Sequence, residues 1–114
     1  MADCLFCKIV AGEIPSKEVI STARTYAFFD VNPAAPIHVL VVPRQHITNA
    51  GELAAEHGEL LAEMFLTAQA VARSQGIADS GYRLVFNVGE DALNSVPHLH
   101  LHVLGGRQMG WPPG

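Results

Sequence analysis

Two periods of hydrophobicity run along this chain. Between residues 51 and 75, Leu53, Leu60, Leu61, Met64, Phe65, Ala68, Val71 and Ala72 recur at the spacing of one helix face. Glu52, Glu56, Glu59, Glu63 and Arg73 fall largely on the opposite face. The pattern predicts one long amphipathic helix over 51–75, stopped by Gly76, with His57 solvated among its acidic neighbours. Elsewhere the period is two. Residues 18–22 and 25–29 read as a hairpin around Ala23 and Arg24, and 37–42 is a β-branched strand. Residues 82–88 read as another strand, with Arg83, Val85 and Asn87 on one face and Leu84, Phe86 and Val88 on the other. Between 30 and 36, Pro33 and Pro36 remove ladder donors and force a loop. Residues 4–11 suit a short helix, with Asp3 as N-cap and Gly12 past its end.

A fifth strand follows the loop at 89–94 and carries the chemistry. Residues 97–104 read PHLHLHVL. Alternate side chains of a strand share a face, about 6–7 Å apart. His98, His100 and His102 would line one face, and Leu99, Leu101 and Val103 would enter the core. A purely structural strand needs no such row of imidazoles. Two chemistries fit it. Three histidines can hold a catalytic metal with an open position for water. Alternatively, one histidine attacks phosphorus or carbonyl carbon while its neighbours position the reacting groups. With this strand the elements predict an α+β fold: a five-stranded antiparallel sheet with one long and one short helix packed on one face.

Composition narrows the partners. The chain has 114 residues, so a single domain spanning 1–114 is expected, and 49% hydrophobic against 16% charged residues excludes disorder. A formal net charge of −4 gives no electrostatic case for nucleic acid or anionic membranes, whereas a small phosphorylated ligand needs only local donors. No apolar run approaches membrane-spanning length, and the first residues lack a basic region and an apolar signal core. A cytoplasmic protein with reduced thiols is expected. Its two cysteines sit together as Cys4 and Cys7. On spacing alone, C-x-x-C is a redox pair, half of a zinc site, or two plain thiols; the flanks lack a thioredoxin-like context, and His46 or the triad are available as further ligands.

Several stretches, taken together, are more specific than H-x-H-x-H alone. Residues 3–16 read DCLFCKIVAGEIPS, 30–38 read DVNPAAPIH, 43–47 read PRQHI, 94–106 read NSVPHLHLHVLGG, and 111–114 read WPPG. This combination resembles the histidine triad (HIT) family over nearly the whole length, and within it the Hint branch of nucleotide-binding phosphoramidases.

The resemblance implies hydrolysis of purine nucleoside 5′-phosphoramidates through a nucleotidyl-histidine intermediate. His100 would attack the α-phosphorus, His102 would donate to phosphate oxygens, Ser95 would add a donor at the phosphate and leaving group, and His38 would relay protons. Asp30 would bind ribose hydroxyls, Asn87 would stand near the phosphate, and Phe6, Ile9, Phe28 and Val31 would enclose the base. Cys4, Cys7, His46 and His98 match a structural zinc set of some members. A two-fold homodimer is also implied, in which the tail arm carrying Trp111 reaches the partner's leaving-group pocket. A nucleotide-binding regulatory or partner-binding module with vestigial hydrolysis is the alternative; it needs the pocket but not His100. The loop at 91–94 (DALN) departs from the glycine-rich stretch usual before the serine, with Asn94 where glutamine is common. A shorter amide and fewer glycines would shift the backbone donors around the leaving group, so this change bears on turnover and leaving-group preference more than on the reaction class.

Overall fold

The computed structural model describes residues 3–114. Strands β1 (Glu18–Ser21), β2 (Thr25–Phe29), β3 (Ile37–Pro43), β4 (Tyr82–Val85) and β5 (Leu101–Gly105) form one antiparallel sheet in the order β1-β2-β3-β5-β4. Its register pairs Phe28 with Leu40 and Leu40 with His102, so the sheet centre runs through β2, β3 and β5.

A short helix, α1 (Leu5–Val10), and a long one, α2 (Gly58–Ser74), cover opposite faces of this sheet. Ala27, Val39, Val41, Leu101 and Val103 pack with Met64, Ala68, Val71 and Ala72 of α2. The alternate residues Tyr26, Phe28, Leu40 and Val42 pack with Cys4, Phe6 and Ile9. This corrects the expectation of both helices on one face. It also explains why β3 is buried along almost its whole length: each of its two side-chain rows has its own helix.

Four boundaries differ from the sequence pattern. The long helix begins at Gly58, not residue 51. Two single 3₁₀ turns, Ala50–Glu52 and Ala55–His57, occupy the intervening stretch. Gly51 and Gly58 weaken helical propensity there. Asn49 Oδ1 accepts the Gly51 N–H at 2.9 Å, and extended Leu53 packs against the main core. His57 is half-buried and not a free surface group: its Nδ1 accepts the Ala54 N–H at 2.9 Å. At the other end, the Ile77 N–H reaches Ala72 O (3.0 Å) and Gly76 N–H reaches Arg73 O (3.2 Å) around Gly76 at φ +72°, a Schellman stop as expected.

In α1 the N-cap is Cys4, not Asp3, since the Cys4 sulfur accepts the Cys7 N–H at 3.3 Å. Strand β4 ends at Val85, three residues short of expectation. Strand β5 begins only at Leu101, so His98 and His100 stand before it and only His102 lies within it. The Leu99 N–H bonds to Ile47 O at 2.6 Å instead of joining a ladder, and the His98 N–H turns back to Val96 O at 2.9 Å. Leu99, Leu101 and Val103 still enter the main core as expected. Among the described residues, no helix is long and apolar enough to cross a membrane.

Candidate functional site

The bend before β5 separates the three histidines into two environments. His98 is fully buried and turned to the cysteines, while His100 and His102 face a cavity. His100 Nδ1 lies 2.7 Å from the His98 carbonyl oxygen. A carbonyl can only accept, so Nδ1 carries the proton and Nε2 keeps a bare lone pair. Burial pushes the His100 imidazole below its usual pKa, against the upward pull of the His98 carbonyl and Asp30. The ring is therefore neutral near pH 7.

A second chain of bonds orders His102. The Ala34 N–H donates to His38 Nδ1 at 2.9 Å, which leaves the His38 proton on Nε2. That proton points to His102 Nδ1 at 2.8 Å, with Asp30 Oδ2 at 3.4 Å from the same nitrogen. His102 then carries its own proton on Nε2. Asn87 Nδ2 stands 3.4 Å from that atom, and a half-turn of the amide presents Oδ1 to it. Burial first, then His100 and His38, push His102 down to about 4. His38 is lowered too, mainly by burial and against the pull of Asp30. Asp30, His38 and His102 offer ligand-type atoms within 4.8 Å of one another. Their bonds argue against a metal there. A metal on His38 Nε2 would demand a proton on Nδ1, where the Ala34 donor already points.

The cavity beside these groups measures about 330 Å³ and gathers Phe6, Ile9, Phe28, Asp30, Val31, Ser95, His100 and His102. Phe6 meets Phe28 and His100 edge-on, with ring centroids at 5.5 and 5.1 Å. The cavity floor is thus apolar at α1 and β2 and carries the neutral imidazoles of His100, just before β5, and His102, within it. Val31 is exposed and forms the rim. Asp30 also makes the local turn that its position before Pro33 suggests, since Oδ1 accepts the Asn32 N–H at 2.9 Å. Sequence reasoning missed Ile14, Pro15, Leu40 and Val96 in the lining, and the backbone groups of Ala34 and His98 that orient the rings. The proline-flanked segment 33–36 was the available signal for Ala34.

Cys4, Cys7, His46 and His98 converge at the N-terminal end of α1, with all their ligand atoms within 4.8 Å of one another. Cys4 Sγ and Cys7 Sγ lie 3.3 and 3.5 Å from His98 Nδ1, and Cys7 Sγ lies 3.3 Å from His46 Nδ1. Tetrahedral zinc with Zn–S near 2.3 Å and Zn–N near 2.0–2.1 Å places sulfur and nitrogen roughly 3.5 Å apart. The His98 Nε2–H donates to Pro43 O at 2.9 Å, so its Nδ1 is bare toward the sulfurs, as a ligand must be. Burial lowers His98, which keeps it neutral. Burial, and next Cys4, push the Cys7 thiol up; a divalent cation at the centre would hold it as thiolate. The donor set fits zinc.

Trp111 is not brought into the cavity. Its ring is 82% exposed and lies against Arg83 of β4, with the guanidinium 5.9 Å from the ring centroid. Arg83 Nη2 also donates to Gly110 O at 2.9 Å, so the tail runs along β4 of its own chain.

The family model of the HIT domain matches residues 11–109. The chain belongs to the HIT family. This HIT protein is 43% identical to a 14 kDa zinc-binding protein of Zea mays, over 96% of the chain and 87% of that protein. It is 40% identical to adenylylsulfatase HINT1 of Arabidopsis thaliana, over 96% of the chain and 76% of that protein. Its structure is similar to that of a HIT family hydrolase from Legionella pneumophila, with a TM-score of 0.96, 46% identity, and coverage of 98% of this chain and 100% of that one. It thus stands close to Hint-like zinc-binding proteins.

Proposed function

We propose that this HIT protein is a hydrolase of purine nucleoside 5′-phosphoramidates and that His100 is its nucleophile. The observation that carries the reading is the bond from His100 Nδ1 to the His98 carbonyl, which leaves Nε2 bare in a cavity that also holds Asp30. The apolar walls of Phe6, Ile9, Phe28 and rim Val31 take the flat base. Asp30 accepts the two vicinal ribose hydroxyls.

In the first step His100 Nε2 forms a bond to the α-phosphorus and the bond from phosphorus to the leaving amine breaks. The departing nitrogen takes a proton from solvent, relayed by the Ser95 hydroxyl. The Nε2–H of His102, fixed by His38 and Ala34, donates to the phosphoryl oxygens as their charge grows, with Asn87 beside it. Water then attacks phosphorus and gives up a proton to solvent, the phosphorus–His100 bond breaks with its electron pair returning to Nε2, and the nucleoside monophosphate leaves with the oxygen of water. His38 acts as a positioning residue that keeps His102 in the donor tautomer.

Zinc belongs in the same reading, held by Cys4, Cys7, His46 and His98. It supplies a structural cross-link there and no reaction chemistry. A two-fold homodimer is proposed as well. Exposed Trp111 and the β4 edge that carries Arg83 lie together, which leaves apolar surface for a partner.

The test is intact-protein mass spectrometry after brief mixing with adenosine 5′-phosphoramidate and a denaturing quench that preserves the phosphorus–nitrogen bond. A single adenylyl adduct on the wild type, absent from His100→Ala, is expected. An adduct that survives in His100→Ala, or hydrolysis with no adduct at any time point, contradicts the mechanism.

A further inference from the structure

Another cavity, of about 610 Å³, is lined by Ser95 together with Thr48, Asn49, Glu90, Leu93 and Asn94. Ser95 is the one lining residue that this space shares with the cavity of His100. In-line displacement sends the leaving group out opposite the attacking nitrogen. The larger cavity of about 710 Å³ at Pro15, Lys17, Asp30 and His38 adjoins the nucleoside end, whereas this space adjoins the cavity of His100 through Ser95, the residue read above as serving the leaving group.

Two lining residues give the space a chemical character. Glu90 is its one charged side chain among the described residues, and no lysine, arginine or histidine lines it. Leu93 is 84% exposed and sits in the left-handed region, with φ of 60°. That conformation is disfavoured for a bulky side chain. Backbone bonds hold it in place: the Leu93 N–H donates to Glu90 O at 3.0 Å and the Asn94 N–H to Gly89 O at 3.1 Å. The same bonds occupy the N–H groups of Leu93 and Asn94, so neither donates to an anion in the cavity. An anionic leaving group would meet a carboxylate and no counter-charge. An ammonium group would meet Glu90, and an aliphatic stem would meet the leucine.

We propose that this cavity is the leaving-group subsite and that Glu90 and Leu93 select an aliphatic amine bearing a second, protonated amino group. The inference rests on the phosphoramidate reading above and adds the class of leaving group. The bond changes are those already given. The reacting nitrogen leaves as a neutral amine after taking one proton by way of Ser95, and the second ammonium keeps its proton throughout.

Three adenosine 5′-phosphoramidates with the same four-carbon stem isolate the charge: those of 1,4-diaminobutane, n-butylamine and 4-aminobutanoate. Adenosine 5′-phosphosulfate tests an anionic leaving group on oxygen. For the wild type, kcat/KM is expected to fall from the cationic to the neutral to the anionic stem, on the order of fivefold per unit charge for a partly solvated pair. The sulfate should rank below all three. Glu90→Gln should flatten the series and Glu90→Lys should reverse it. Leu93→Gly should lower the butylamine substrate roughly fivefold relative to the unsubstituted phosphoramidate, as lost contact of one aliphatic side chain implies. These are ratios within one preparation, so partial misfolding cancels. Turnover without a charge order, or an unchanged order in Glu90→Lys, overturns the inference and leaves the phosphoramidate reading standing. Failure of the wild type to hydrolyse any phosphoramidate overturns both.

Discussion

The carbonyl of His98 accepts the Nδ1–H of His100 at 2.7 Å. A backbone group of a proposed metal ligand thereby sets the tautomer of the proposed nucleophile. The zinc set and the nucleotide cavity are joined through one dipeptide step, with Leu99 anchored in the core between them. The two sites are structurally coupled even though their side chains point apart.

Replacing the nucleophile should separate chemistry from binding. His100→Ala is expected to reduce hydrolysis of adenosine 5′-phosphoramidate by at least about a thousandfold. Binding of adenosine monophosphate, followed by calorimetry, should weaken by less than about tenfold. Turnover within tenfold of wild type would remove His100 from its role.

Metal content is expected to be about one zinc per chain by elemental analysis. Since the donor set ties α1 to the segment before β5, chelation should lower Tm by more than about 10 °C. Cys7→Ser should copy that loss in untreated protein. Rapid, reversible loss of activity on chelation with Tm unchanged would assign the metal a catalytic part instead.

The buried imidazoles predict a direction of pH dependence. His38, His100 and His102 all lie below the ordinary histidine value, His102 at about 4. Below roughly pH 6.5 the unfolded chain therefore binds more protons than the folded one. Stability is complete above that pH and falls as pH drops through it toward about 4. Urea midpoints at pH 7.5 and 5.0 should show the lower value at pH 5.0. Plots of kcat/KM should stay level from pH 8 to near 6.5 and bend downward only below it, because His100 must be neutral to attack. A midpoint that rises on acidification would contradict the assignment.

Gly105 marks a point where β5 and the end of α2 leave no room. A Cβ there would lie 2.6 Å from Ile77 Cδ1 and 3.3 Å from its Cβ and Cγ2, and Ile77 is itself buried. Rotating the side chain moves Cδ1 and Cγ2 but leaves the contact with Cβ. Gly105→Ala should destabilise the fold by about 1–3 kcal/mol, read from denaturant midpoints. No loss would mean that the α2 terminus shifts freely.

The tail offers a test of assembly. Light scattering at micromolar concentration is expected to give a dimer. Deleting residues 109–114 should change selectivity among leaving groups more than affinity for the nucleoside monophosphate. A monomer whose tail deletion alters neither would place Trp111 against Arg83 of its own chain only.

Periodicity and β-branched runs located the strands and the long helix, because burial of a half-apolar element imposes its own repeat on local sequence, and terminal signals located the short helix. The Schellman stop at Gly76 and the turn at Asp30 were legible for the same reason: each is a local backbone requirement met by one residue type. The resemblance to the HIT family added what periodicity lacks, a pairing of Cys4 and Cys7 with His46 and His98, and the fold brings those four together. Other features rest on contacts between distant segments, and no local pattern records them. The division of α1 and α2 between the two faces follows from which strand row each helix covers. The late start of α2 follows from Leu53 reaching the core, and the break of the histidine row at Leu101 follows from the Leu99 N–H bonding to Ile47. Proton positions were the least visible of all. Whether a nitrogen of His38, His98 or His100 is bare depends on the Ala34 N–H and the carbonyls of Pro43 and His98. Every residue carries such backbone groups, so the chain determined which imidazoles were available, and tertiary structure alone decided which nitrogen of each could react.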